Sequence, residues 1–260
     1  MRKIQSVIYV DDDPDISEIV KTTLCMMAGL RVSTAASGER AIDLALEVLP
    51  DLVLMDIMMP GLDGPSTLNR MRENRALAHI PVVFMTAKLL PAEVAHFLRL
   101  GAIGVIGKPF DPLTLCDELF ALWTKAGLER DVAPARTESS PPQIRAKIAS
   151  LTDTFLERTA GDVVRLEEMI ARIRHGERSL LPEVERLAHR IHGAGHMFGF
   201  PQVSASGAAI ERLAIANTPS PGSNCDPAAL RQLTYCTEQL ALAVARAGNA
   251  ASNGGRTLHA

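Results

Sequence analysis

The sequence predicts a doubly wound α/β domain built on a five-stranded parallel sheet, followed by an all-α helical bundle. Three observations predict it. Between residues 4 and 127, five apolar runs of four or five residues alternate with stretches of helical spacing. A proline-bearing stretch without apolar period then interrupts the chain. From Ile144 to about Ala247 the spacing is helical throughout, with no strand-like alternation. Alternating short apolar runs and helices are the pattern of a parallel sheet covered on both faces.

The apolar runs are Ser6–Val10, Arg31–Ala35, Leu52–Met55, Val82–Met85 and Ile103–Ile106. Between the first two, Ile16, Ile19, Val20, Thr23 and Leu24 recur at helical spacing. Ala41, Leu44, Ala45 and Val48 do so after the second. These elements place a first domain at 1–127. The stretch 128–143 reads as a linker, because Asp131-Val-Ala-Pro-Ala-Arg-Thr-Glu-Ser-Ser-Pro-Pro142 has three prolines and no period. Helices are expected near 143–156, 160–174, 180–198, 201–215 and 227–247, giving a bundle over 144–247. The Gly/Asn/Ala-rich residues 248–260 read as a flexible tail.

Composition excludes several classes. Lys and Arg total 27 against 30 Asp and Glu, a formal charge of -3, which is small for a general nucleic-acid or membrane binder. Four cysteines, Cys25, Cys116, Cys225 and Cys236, form no short pair and read as reduced thiols. The first residues lead straight into a strand pattern and lack the apolar core of a signal peptide. No apolar run approaches the roughly 20 residues that span a bilayer. The expected location is cytoplasmic.

Open parallel sheets bind ligands at the carboxyl ends of their strands. The first strand ends in Asp11-Asp12-Asp13, the third in Asp56 and the fourth in Thr86-Ala87. The fifth is followed by Lys108-Pro109. Clustered carboxylates repel unless a cation joins them, and Mg2+ prefers oxygen ligands. A metal-bound carboxylate beside a lysine is suited to attack a phosphoryl group, because both cations neutralise its oxygens. Ordinary strand-end polarity would explain any one of these residues. It does explain Asp13, which with Pro14 reads as a helix cap and first turn. It does not explain all of them at the same end of the sheet.

Residues 4–127 resemble a response-regulator receiver domain, a flavodoxin-like fold. The matching segments are Val10-Asp-Asp-Asp-Pro14, Asp51-Leu-Val-Leu-Met-Asp-Ile-Met-Met-Pro-Gly-Leu-Asp-Gly64, Met85-Thr-Ala87 and Gly107-Lys-Pro-Phe110. The resemblance implies that Asp56 is the phosphoacceptor. It implies that Asp11, Asp12, Asp56 and the Met58 carbonyl hold Mg2+, and that Thr86 and Lys108 bind phosphoryl oxygens. Such a domain is no enzyme beyond its own phosphotransfer and dephosphorylation. Val105 stands where the family usually carries Tyr or Phe, so the aromatic half of its conformational switch is missing. That fits a domain that passes phosphate on.

In the bundle, the segment 180–198 carries the chemistry. Ser179 reads as its cap, with Pro182 in the first turn. Leu180, Val184, Leu187, Ile191, Ala194 and Phe198 form one stripe at 100° per residue. His189, His192 and His196 share the opposite face with Gly193, which costs helix stability and would let another protein approach. Three readings stand: a solvated polar face, a metal site of His189, His192 and His196, and a phosphoacceptor imidazole, nucleophilic near neutral pH.

Residues 144–247 resemble a histidine-containing phosphotransfer (Hpt) domain. The segments are Ala188-His-Arg-Ile-His-Gly-Ala-Gly-His-Met-Phe-Gly-Phe200, Glu211-Arg-Leu213 and Phe155–Ile170. The family pattern H-x-x-K-G falls on His189-Arg190-Ile191-His192-Gly193, which implies that His189 is the phosphohistidine. His192 replaces the usual lysine and would stand beside the phosphate, with Arg186 or Arg190 as compensating charge. The resemblances together imply a two-component phosphorelay protein. Its partners would be a histidine kinase and other receiver or Hpt domains, with no nucleic acid and no membrane. The alternative is a receiver with an unphosphorylated Hpt-like module that binds a kinase or dimerises. No Gly-rich ATP-binding segment and no helix-turn-helix pattern follow.

Overall fold

A computed structural model describes residues 3–86, 90–128, 141–217 and 227–254. The chain divides into two compact units, one up to Ile148 and one from Ala149.

In the first unit, β1 (Ser6–Val10), β2 (Arg31–Ala35), β3 (Leu52–Asp56), β4 (Val82–Thr86) and β5 (Gly104–Gly107) alternate with α1 (Pro14–Ala28), α2 (Gly38–Val48), α3 (Gly64–Glu73), α4 (Pro91–Arg99) and α5 (Leu115–Lys125). All strand pairs are parallel, in the order β2-β1-β3-β4-β5. The chain reverses direction across the sheet beside β1, so a crevice opens at the carboxyl ends of β1 and β3. β3 is buried along its whole length, which is why it reads as an unbroken apolar run. β3 and β4 each run one residue beyond the expected bound, carrying Asp56 and Thr86 as their last residues.

The opposite edge of the sheet is stitched by side chains. Asp51 Oδ2 accepts from the Gln5 and Ser6 amides and from Ser6 Oγ, each at 3.0 Å, tying the starts of β1 and β3. The Arg72 guanidinium donates to the carbonyls of Ile80 and Gly101, both at 3.0 Å, tying α3 to the approaches of β4 and β5.

Beyond the linker, α6 runs from Pro141 to Arg174 as a single helix, where two were expected. Gly161 does not break it. A helical glycine costs about 1 kcal/mol, and the apolar stripe of Phe155, Leu156, Val163, Leu166 and Ile170 is buried on both sides of it. α7 spans Leu181–Met197 after a 3-10 turn at Arg178–Leu180, so Ser179 lies in that turn and does not cap the helix. Pro182 sits in the first turn as expected. α8 spans Pro201–Ala216, and α9 spans Pro227–Gly254, seven residues past the expected end at 247. The linker residues 129–140 and the tail residues 255–260 lie outside the described residues. Among those described, no helix is long and apolar enough to cross a membrane.

α7 and α8 meet backbone to backbone. A Cβ on Gly207 would stand 2.8 Å from the His192 nitrogen and 3.0 Å from the Ala188 carbonyl. One on Gly195 would stand 2.9 Å from the Ser204 nitrogen. Ser204 Oγ donates to the His192 carbonyl at 2.9 Å.

Candidate functional site

The acidic edge is assembled as its strands end. Asp11 follows β1 and Asp56 ends β3, both buried. Lys108 follows β5 and places Nζ 2.7 Å from Asp11 Oδ2 and 2.9 Å from Asp56 Oδ1. Burial opposes the ammonium charge, but the two carboxylates outweigh it and push Lys108 above its ordinary value. The Lys108 amide donates to the Thr86 carbonyl at 2.7 Å, which sets Thr86 beside the lysine backbone. Thr86 is half-buried, and Ala87 lies outside the described residues.

The approach of α3 requires a glycine at its start. A Cβ on Gly64 would lie 2.5 Å from the Asp56 carbonyl oxygen, so a side chain there would displace the end of β3. Asp13 is the cap of α1, accepting from the Asp15 and Ile16 amides at 2.8 and 3.3 Å. Burial first, then the charges of Asp11 and Asp15, raise its carboxyl to about 7.

Among the described residues, Asp11, Asp12 and Asp56 alone bring three potential metal-ligand atoms within 4.8 Å of one another. Oxygens around a Mg2+ ion stand roughly 3 to 4 Å apart, so a small contraction would suffice. An all-carboxylate donor set is also the chemistry that a hard cation selects. Met58 lies two residues after β3 with an exposed side chain. Val105 pairs with Phe84 across β4 and β5 and packs against the sheet core.

Tyr9 is the residue that sequence reasoning passed over here. Its hydroxyl is buried within β1 and donates to Asp11 Oδ2 at 2.5 Å. Asp11 Oδ1 accepts from the Asp13 amide at 2.9 Å. Asp11 is therefore oriented by three protein donors.

In the helical unit, α7 buries Val184, Leu187, Ile191 and Ala194 as its stripe predicts. Phe198, just beyond the helix, stacks on Phe155 with ring centroids 4.6 Å apart. His189 is not on an open face. Its Nδ1 lies 2.8 Å from Glu211 Oε1 on α8, and His192 Nδ1 lies 3.3 Å from Glu211 Oε2. His196 is exposed and stands outside this pair. Desolvation works against the Glu211 charge, but the bonds to both histidines hold its carboxyl down at about 2. An ionised carboxylate only accepts, so each Nδ1 carries the hydrogen, and in the neutral ring the lone pair is on Nε2. Arg190 stands 3.8 Å from Asp162 of α6. Glu211 had no assigned role from sequence. It lies 22 residues from His189, and only the packing of α8 on α7 brings the two together.

Fold and site define a class: a parallel-sheet module with an acidic strand-end pocket, joined to a helical module with a carboxylate-held histidine. Family models agree. Residues 7–120 match the response regulator receiver domain, and residues 150–249 match the Hpt domain. The chain is a receiver–Hpt fusion, the domain content of a two-component phosphorelay protein. It is 37% identical over 117 residues to the response regulator Rre1 of Synechocystis, covering 45% of this chain and 49% of that one. It is 31% identical to the DNA-binding response regulator MtrA of Mycolicibacterium smegmatis, covering 64% and 65%. The chain spans about half the length of Rre1 and of several other curated relatives. A solved structure of chemotaxis protein CheY4 from Vibrio cholerae matches at 30% identity and a TM-score of 0.44, covering 46% of this chain and 99% of that one.

Proposed function

We propose that this chain is a cytoplasmic phosphoryl carrier that accepts phosphate on Asp56 and on His189, exchanging it with a histidine kinase and with other receiver or Hpt domains. The supporting observation is the Lys108 ammonium set 2.7 Å from Asp11 and 2.9 Å from Asp56. It sets a cation against two buried carboxylates where a phosphoryl group would arrive. Asp11, Asp12, Asp56 and the Met58 carbonyl would hold Mg2+, which supplies charge neutralisation on the phosphoryl oxygens.

Asp56 attacks phosphorus with one carboxylate oxygen. Lys108 and the Thr86 hydroxyl then bind the equatorial oxygens, and the donor's nitrogen or oxygen leaves with its electron pair. In the helical module, Nε2 of His189 attacks, and Glu211 holds the ring through Nδ1 and balances the charge the ring gains. Neither nucleic acid nor membrane is among the proposed partners.

The test is intact-mass measurement of the full chain after treatment with acetyl phosphate and Mg2+. Wild type should carry a phosphoryl adduct, and Asp56→Ala should not. An undiminished adduct on Asp56→Ala overturns the receiver assignment.

A further inference from the structure

We propose that His192 is a second phosphoacceptor of the helical module, sharing one orienting carboxylate with His189. The inference rests on the phosphorelay reading above and adds a site to it.

Both imidazoles are anchored on the same carboxylate. Glu211 takes Nδ1 of His189 through one oxygen and Nδ1 of His192 through the other. Because the carboxylate only accepts, both rings are held in the same tautomer, with the nucleophilic lone pair on Nε2. An exposed surface histidine needs no such partner. His192 is also the better presented of the two. Its side chain is 40% exposed, against 30% for His189. The adjacent residue is Gly193, so no neighbouring side chain stands at that step of the helix.

The backbone under His192 is held as firmly as its ring. Ser204 Oγ donates to its carbonyl, and Gly207 lets α8 come within a Cβ contact of its nitrogen. Three separate features of α8, namely Glu211, Ser204 and Gly207, thus converge on this residue. An imidazole fixed at ring and backbone, with Nε2 carrying the lone pair, is a preorganised nucleophile.

The step balances as it does at His189. The Nε2 lone pair forms the N–P bond, and the P–O bond of an aspartyl phosphate on a receiver breaks. The aspartate leaves as a carboxylate with the electron pair. The Nδ1 hydrogen stays in its bond to Glu211, whose charge balances that of the phosphorylated ring. One carboxylate can balance only one such ring, and two phosphates three residues apart repel. The module therefore carries one phosphoryl group at a time, divided between two positions. The longer bond to His192 orients that ring less firmly, so its share is the smaller of the two.

The experiment uses full-length chains. The donor is the His189→Gln/His192→Gln double variant, phosphorylated on its receiver with acetyl phosphate and Mg2+ and then freed of excess reagent. The acceptors are Asp56→Ala chains that are otherwise wild type, or that also carry His189→Gln, His192→Gln or both. Phosphohistidine is located by peptide fragmentation at alkaline pH. The otherwise wild-type acceptor should show label at both positions, which needs no substitution on α7. The His189→Gln acceptor should keep label on His192 that the double variant lacks. If all label sits on His189 and the His189→Gln acceptor falls to the double-variant level, the proposal is overturned while the phosphorelay reading stands. If no acceptor takes label, both the proposal and the carrier role of the helical module fall.

Discussion

Single residues set the charge balance at both sites, and two substitutions test it. Lys108→Ala removes a cation set between two carboxylates. It should slow phosphorylation by acetyl phosphate by roughly 100-fold or more. Mg2+ affinity, followed by calorimetry, should hold or rise, because Lys108 neutralises the carboxylates that would bind the metal. The stabilising contribution of Lys108 follows from its raised value. It is present at every pH below the ordinary 10.5 and is lost only as pH climbs through the folded value. Glu211 has the opposite sign. Its carboxyl is held at about 2, below the ordinary 4.5, so its ionised form stabilises the fold above pH 4.5 and loses that effect as pH falls toward 2. Glu211→Gln should therefore show a deficit in urea unfolding at pH 7 that shrinks steadily below pH 4.5. The acidic residues were legible in sequence because each ends a strand, and strand ends are visible as the close of an apolar run. Glu211 and Tyr9 were not. Their partners are set by side-chain direction across two elements, which a period does not encode.

At the scale of elements, the glycines fix how closely helices approach the groups they serve. Gly207→Ala would put a methyl 2.8 Å from the His192 nitrogen, with backbone rather than a movable side chain in the way. α8 would have to withdraw, at a cost of about 1 to 3 kcal/mol. Urea midpoints should fall accordingly, and acceptance of phosphate by the module should fall with them as Glu211 is carried away from both rings. Gly161→Ala is the control. Nothing stands within 4 Å of its Cβ, so it should stabilise α6 by about 1 kcal/mol. The central strands were readable as short apolar runs buried on both faces, and the α7 stripe as a helical period over one buried face. The break expected between 156 and 160 is absent: α6 runs through it, with Phe155, Leu156, Val163 and Leu166 buried on either side. α9 also continues to Gly254, through residues that read as part of a tail.

For the whole chain, the sequence linker of roughly 15 residues spans at most about 50 Å when fully extended, and a flexible linker gives the internal partner only a finite effective concentration. Transfer between separate molecules should therefore compete with transfer within one. Mixing Asp56→Ala chains with His189→Gln/His192→Gln chains at micromolar concentration checks this, since neither can pass phosphate from Asp56 to α7 internally. A silent mixture beside an active, concentration-independent wild type would refute it. Hydrogen exchange offers a second view, confined to the sheet. Asp51, which leads into β3, and Arg72 bind backbone groups at the amino ends of β1, β4 and β5, while the carboxylates gather at the carboxyl ends. The sheet is built like a beam clamped at one end. Whatever binds at the charged end can bend loops there, and the clamped end will not follow. The Ser6 amide at the start of β1, held on Asp51, should exchange slowly. Amides just past Asp56 and Lys108 should exchange through local opening, and a bound ligand should slow them alone.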